Sequence, residues 1–118
     1  MEDKKSVISI EVNLDKDNIP NKIQWTAASP EGPVTRESKA MLLSFFDKET
    51  LETYKIDLWT TDMQIAEMDR LMFHSLKALA EAYFKATNNQ ELSNHMRSFV
   101  QYFGEFTGII PKDDEKQE

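Results

Sequence analysis

The chain has 118 residues, of which 40 % are apolar and 30 % charged, with a formal net charge of −7. That length suits one domain with one modest core, and an acidic surface repels phosphate, which argues against nucleic acid and anionic membranes as partners. There is no cysteine, which excludes disulfides, thiolate metal sites and cysteine nucleophiles.

The opening stretch "MEDKKSVISIEVNL" mixes acidic residues with lysines and lacks the unbroken apolar core of a signal peptide. Taken as a native start, it leads to an expected cytoplasmic location. No run approaches the length that spans a bilayer, so no direct membrane insertion is expected.

Ile8, Ile10, Val12 and Leu14 alternate with Ser9, Glu11 and Asn13, the period of a strand with one buried face. "DKDNIPN" follows as a turn. "KIQWTAA" alternates Ile23, Trp25 and Ala27 against Gln24 and Thr26 and reads as a second strand. "SPEGPVTRE" holds two prolines and a glycine and reads as a loop over residues 29–37. "SKAMLLSFF" is apolar on both parities, as in a central strand buried on two sides. "LETYKIDLW" alternates again, with Tyr54, Ile56 and Leu58 on one parity.

The period then changes to three and four. Ile65, Met68, Met72, Leu76, Leu79 and Tyr83 form one helical stripe. Thr61 is placed to cap this helix, with Gln64 three residues on as its capping-box partner. The helix is expected from about Thr61 to Thr87, or roughly 40 Å. Asn88 is placed to cap a second helix, whose stripe is Leu92, Met96, Phe99, Phe103 and Phe106. Gly108 and Pro111 end it, and residues 111–118 read as a charged, disordered tail.

Strands followed by helices give an α+β class. The expected fold is a four-stranded antiparallel meander with two C-terminal helices on one face, in a single domain spanning residues 1–110. The inter-strand connections are too short for parallel crossovers.

Several clusters invite a chemical reading. Glu67, Arg70 and His74 share a helix face and could in principle serve acid–base work, but pairs at this spacing are common on solvated helices. Asp57 reads as a solvated strand residue beside Lys55. His74 and His95 fall on different helices, with no ligand-spaced pair, so no metal site or cofactor is expected. Asn13, Asp15 and Asp17 alternate like a calcium loop but lack its glycine and distal glutamate, and they read as turn residues. No Gly-x-Ser-x-Gly or phosphate-binding loop is present, so no catalytic residue is assigned.

The sheet's second face carries the remaining signal. If the helices cover Ile10, Leu42, Phe46, Ile56 and Leu58, the other face holds Met41, Leu43, Phe45, Leu51 and Trp59, joined by Val7. An apolar set of this size marks a candidate interface. The alternative is a twisted sheet with loop 29–37 folded over it.

Four strings make a more specific pattern: "IQWTAA" from Ile23, "KAMLLSFFDKET" from Lys39, "IDLWTTDMQIAEMDR" from Ile56, and "MRSFVQYFGEFTGII" ending at Ile110. In this order they resemble the gliding motility-associated protein GldC family over about Val7 to Ile110. The resemblance implies a small, soluble, non-enzymatic accessory protein of bacterial gliding motility, a machinery tied to type IX secretion. Its partners would be proteins of that machinery, with a homo-oligomer as a further option. No catalytic or binding residue carries over. The alternative reading is a small-ligand-binding or hydrolytic domain, with a pocket between sheet and helices lined by Trp25, Tyr54 and Tyr83.

Overall fold

The computed structural model of the chain describes residues 3–112. It contains five strands followed by two helices, so the α+β class holds. The chain divides into two compact units at Met63/Gln64, a β unit and a helical hairpin. The stretch expected as a tail lies, from residue 113 on, outside the described residues.

The β unit holds two antiparallel sheets rather than one four-stranded meander. The first consists of β1 (Ile8–Leu14), β2 (Pro20–Ala27) and β3 (Val34–Ser38), and the second of β4 (Ala40–Phe46) and β5 (Thr53–Trp59). β3 is the element absent from the sequence reading, which placed a loop there. Its five residues include one aliphatic, Val34, and all but Ser38 are exposed. Backbone pairing to β2 holds it, from Ile23 opposite Ser38 to Ala27 opposite Val34, helped by a 2.9 Å contact between the Thr26 and Thr35 hydroxyls. The prolines act only in the preceding turn, where the Gly32 N–H donates to the Ser29 carbonyl at 3.0 Å and Gly32 adopts a φ of +115°.

Register sorts β1 and β2 into an apolar and a polar face, with Arg36 and Ser38 of β3 standing opposite Trp25 and Ile23 on the apolar side. Ile8, Ile10 and Val12 stand opposite Ala27, Trp25 and Ile23, and residues opposite one another share a face. Ile23 is the best buried large side chain of the unit, 1 % exposed. The other face carries Ser9, Glu11, Lys22, Gln24, Thr26 and Thr35. Between β1 and β2, the Asp15 carboxylate accepts from the N–H groups of Asp17 (2.8 Å) and Ile19 (3.0 Å), and Asn18 takes a φ of +62°. This is an Asx-type turn, as expected for Asp15 and Asp17, whereas Asn13, read as a third turn residue, lies in β1 opposite Lys22.

β4 follows β3 after Lys39 alone. It was expected to be a central strand buried on both faces. Instead it pairs with β5 in a two-stranded ladder, and four of its seven residues are exposed. The Asp47 carboxylate organises the connecting loop by accepting from Glu49 and Thr50 N–H groups at 3.1 and 2.8 Å. These bonds hold its pKa below the ordinary carboxylate value, the Thr50 N–H first.

In the second unit, α1 (Ile65–Thr87) and α2 (Gln90–Thr107) pair as a hairpin. The α1 cap is Gln64, not Thr61. Thr60–Met63 form a turn, closed by the Met63 N–H on the Thr60 carbonyl at 3.1 Å, which delays the helix. Glu67 completes the box by accepting from the Gln64 N–H at 2.9 Å. The α2 cap is Asn89, whose side chain accepts from the Leu92 N–H at 3.0 Å, while Asn88 closes α1 in the left-handed region. Gly108 stops α2 with a φ of +79°, as expected.

The seam between the helices does not use the two sequence stripes. Its buried residues are Phe73 and Ala80 on α1, and Ser93, Val100 and Gly104 on α2. A Cβ built on Gly104 would lie 2.6 Å from the Phe73 ring and 2.7 Å from Ile110. Only glycine admits that approach.

Candidate functional site

The Trp59–Asp62 corner is a structural joint. Thr60 is buried, 4 % exposed, and its N–H donates to the Lys39 carbonyl at 2.8 Å. Its hydroxyl is shared between that carbonyl, at 3.1 Å, and the Asp62 carboxylate. The Thr60 bond is the first cause holding the Asp62 pKa below the ordinary value, and Lys39, 4.0 Å away, adds to it. The corner therefore ties the end of β5 to the residue that joins β3 to β4.

The residues weighed for acid–base work have other roles. Glu67 serves the α1 cap. His74 is exposed and stacks edge-on against Phe73 at 5.1 Å. Asp57 pairs with Lys55 at 3.3 Å, the solvated pairing expected for it.

The candidate interface residues fall differently from the sequence expectation. Met41 stands opposite Leu58, Leu43 opposite Ile56, and Phe45 opposite Tyr54. These six share one face of the ribbon, so Ile56 and Leu58 join Met41, Leu43 and Phe45 instead of opposing them. Trp59 stands opposite Ala40 and shares the other face with Leu42 and Phe46. Leu51 belongs to neither face. It sits in the loop with a φ of +61° and its N–H on the Asp47 carbonyl at 3.1 Å.

The cause is the loop length. Six residues, Asp47–Glu52, separate the paired ends Phe46 and Thr53. An even loop sets odd residues of β4 opposite even residues of β5, which alternation within each strand cannot reveal.

The resulting face carries no charged side chain, and its one hydroxyl is that of Tyr54. Phe45 is 58 %, Tyr54 53 % and Ile56 49 % exposed, with Met41, Leu43 and Leu58 half-buried. The opposite face is mixed, with Ser44, Asp57 and Lys55 beside Leu42, Phe46 and Trp59.

The hairpin carries an open cleft of about 330 Å³ lined by Phe73, Lys77, Glu81, Arg97, Val100, Gln101 and Ile110. Trp25, Tyr54 and Tyr83 do not line it. Arg97 is already engaged, lying over the Phe84 ring at 5.3 Å and donating to Asn94 at 3.2 Å. Among the described residues no group of three or more His, Asp or Glu converges as a metal site, and no helix is long and apolar enough to cross a membrane.

Residues 20–108 match the family model described as gliding motility-associated protein GldC-like. Comparison with curated proteins and with solved structures returns no match.

Proposed function

The chain belongs to the gliding motility-associated GldC-like family, and from that premise we propose that it is a non-enzymatic interaction module of the bacterial gliding machinery, working with its type IX secretion apparatus in the cytoplasm. The observation that carries this reading is the ribbon face of Met41, Leu43, Phe45, Tyr54, Ile56 and Leu58. Contiguous exposed apolar surface mixing aromatic and aliphatic side chains is the composition of a protein-binding hot spot. A two-stranded ladder also leaves the outer edge of each strand unpaired within it, which suits addition of a partner strand.

The test is capture of the tagged chain from its native host after light crosslinking, beside a Phe45→Asp variant. Wild-type protein should recover gliding or secretion components, and the variant should lose them while keeping its far-ultraviolet circular dichroism. Equal recovery by both proteins would remove the ribbon from the reading.

A further inference from the structure

The sequence stripes of the hairpin lie to one side of the helix–helix seam. On α1, Ile65 is 84 % and Leu79 58 % exposed, and on α2, Leu92 is 46 %, Phe99 52 %, Tyr102 58 % and Phe106 75 % exposed. Helical geometry sets both stripes on the same side of the antiparallel pair, about a quarter-turn from Phe73 and Val100. The opposite side takes the charge, with Arg70, Glu81 and Lys85 on α1 and Glu105 on α2.

We propose that this face seats a second copy of the chain, two hairpins meeting across a two-fold axis as a four-helix layer. Area is the first reason. Six large side chains about half or more exposed offer roughly 800 Å² per copy, the share each partner contributes to a standard stable interface. Charge is the second. Copies of a chain with net charge −7 repel one another, so they must meet where like charge is absent. This face holds no lysine or arginine, one carboxylate, Asp69, and His95 at its outer edge. A charged partner would find only Asp69 and His95 to pair with there, whereas a two-fold interface matches the same apolar patch to itself.

Geometry is the third reason. Phe99, Tyr102 and Phe106 already stack along α2, with ring centroids 6.1 and 5.8 Å apart. A pre-ordered aromatic row loses little side-chain freedom on docking. Beside it, Asp69, Tyr102, Phe103, Phe106 and Thr107 line an open hollow of about 540 Å³, room for an incoming side chain. This inference stands apart from the ribbon reading and involves different residues.

Sedimentation velocity on the full chain, across a wide concentration range, is the experiment. The expected species has twice the chain's 13.7 kDa. Phe99→Asp should weaken its association about 100-fold, while Phe45→Asp leaves it unchanged, which separates failure here from failure of the ribbon reading. A wild-type monomer at every concentration overturns the proposal, as does a dimer indifferent to Phe99→Asp. Should that variant fail to fold, the cysteine-free background allows a second route. Leu79→Cys treated with a short bis-maleimide should yield covalent dimer, and Ser9→Cys, on the polar face of the first sheet, should not. Equal yields, or no dimer from Leu79→Cys, also overturn it.

Discussion

The hairpin seam and the β4–β5 ribbon are built on opposite plans. The seam is made of small residues, Ala80, Ser93 and Gly104, around Phe73 and Val100, and at Gly104 it has no room for an added Cβ. The ribbon is made of large residues, Phe45, Tyr54 and Ile56, that stand half or more exposed. Hydrophobicity alone ranks the ribbon as the better core. Packing reverses the order, because a helix pair gains its contacts from close backbone approach, whereas a two-stranded ladder joins its strands only edge to edge.

Adding one methyl to the seam should break this contrast most sharply. Gly104→Ala gains helix propensity of about 1 kcal/mol but drives a Cβ into Phe73 and Ile110. Overpacking of this kind costs about 1–3 kcal/mol, so a net loss is expected, read as a lower urea midpoint. On the ribbon, Phe45→Asp should leave that midpoint almost unmoved, since surface changes usually stay within about 0.5 kcal/mol.

A smaller effect sharpens the account of the seam. The Ser93 hydroxyl is fully buried and has no hydrogen-bond partner among the described residues. An unsatisfied buried donor carries a desolvation penalty of about 1–3 kcal/mol, so Ser93→Ala should hold or raise stability, by up to about 1 kcal/mol. A clear loss in chemical denaturation would mean that the hydroxyl finds a partner there.

The smallest effect belongs to the corner that closes the ribbon. Asp62 has a lowered folded pKa, so its contribution is complete above the unfolded carboxylate value of about 3.9 and is lost as pH falls through the folded one. Asp62→Asn should therefore flatten the acid limb of the stability curve below about pH 4 and leave the slope between pH 5 and 7 alone. Thermal melts across that range will read it.

Much of this was legible in the sequence where one side chain after another repeats a signal. The alternation of Ile8, Ile10 and Val12 locates β1, the three–four spacing of Met68, Met72 and Leu76 locates α1, and Gly108 ends α2. β3 was not legible because its stability lies in backbone pairing, which leaves little mark on residue type when the strand is exposed. The α1 cap moved three residues because the Thr60–Met63 turn outcompetes a threonine that satisfies the capping pattern equally well on paper. The seam was hidden because alanine, serine and glycine carry almost no hydrophobic signal. The candidate interface was half legible. Its apolar residues are evident, but their grouping depends on the parity of a loop, which only pairing reveals.

Lys39 carries a last consequence. It is the lone residue between two ladders, and its carbonyl is held by Thr60. The Lys39 peptide therefore joins the end of β3, the start of β4 and, through Thr60, the end of β5. A residue inserted there would turn every side chain of β4 over relative to β3 and exchange the apolar ribbon face for the mixed one. A pair of residues inserted into the Asp47–Glu52 loop would keep the parity and leave both faces as they are. A two-residue insertion at the tip of the ribbon therefore keeps its faces, whereas a single inserted residue at its root exchanges them.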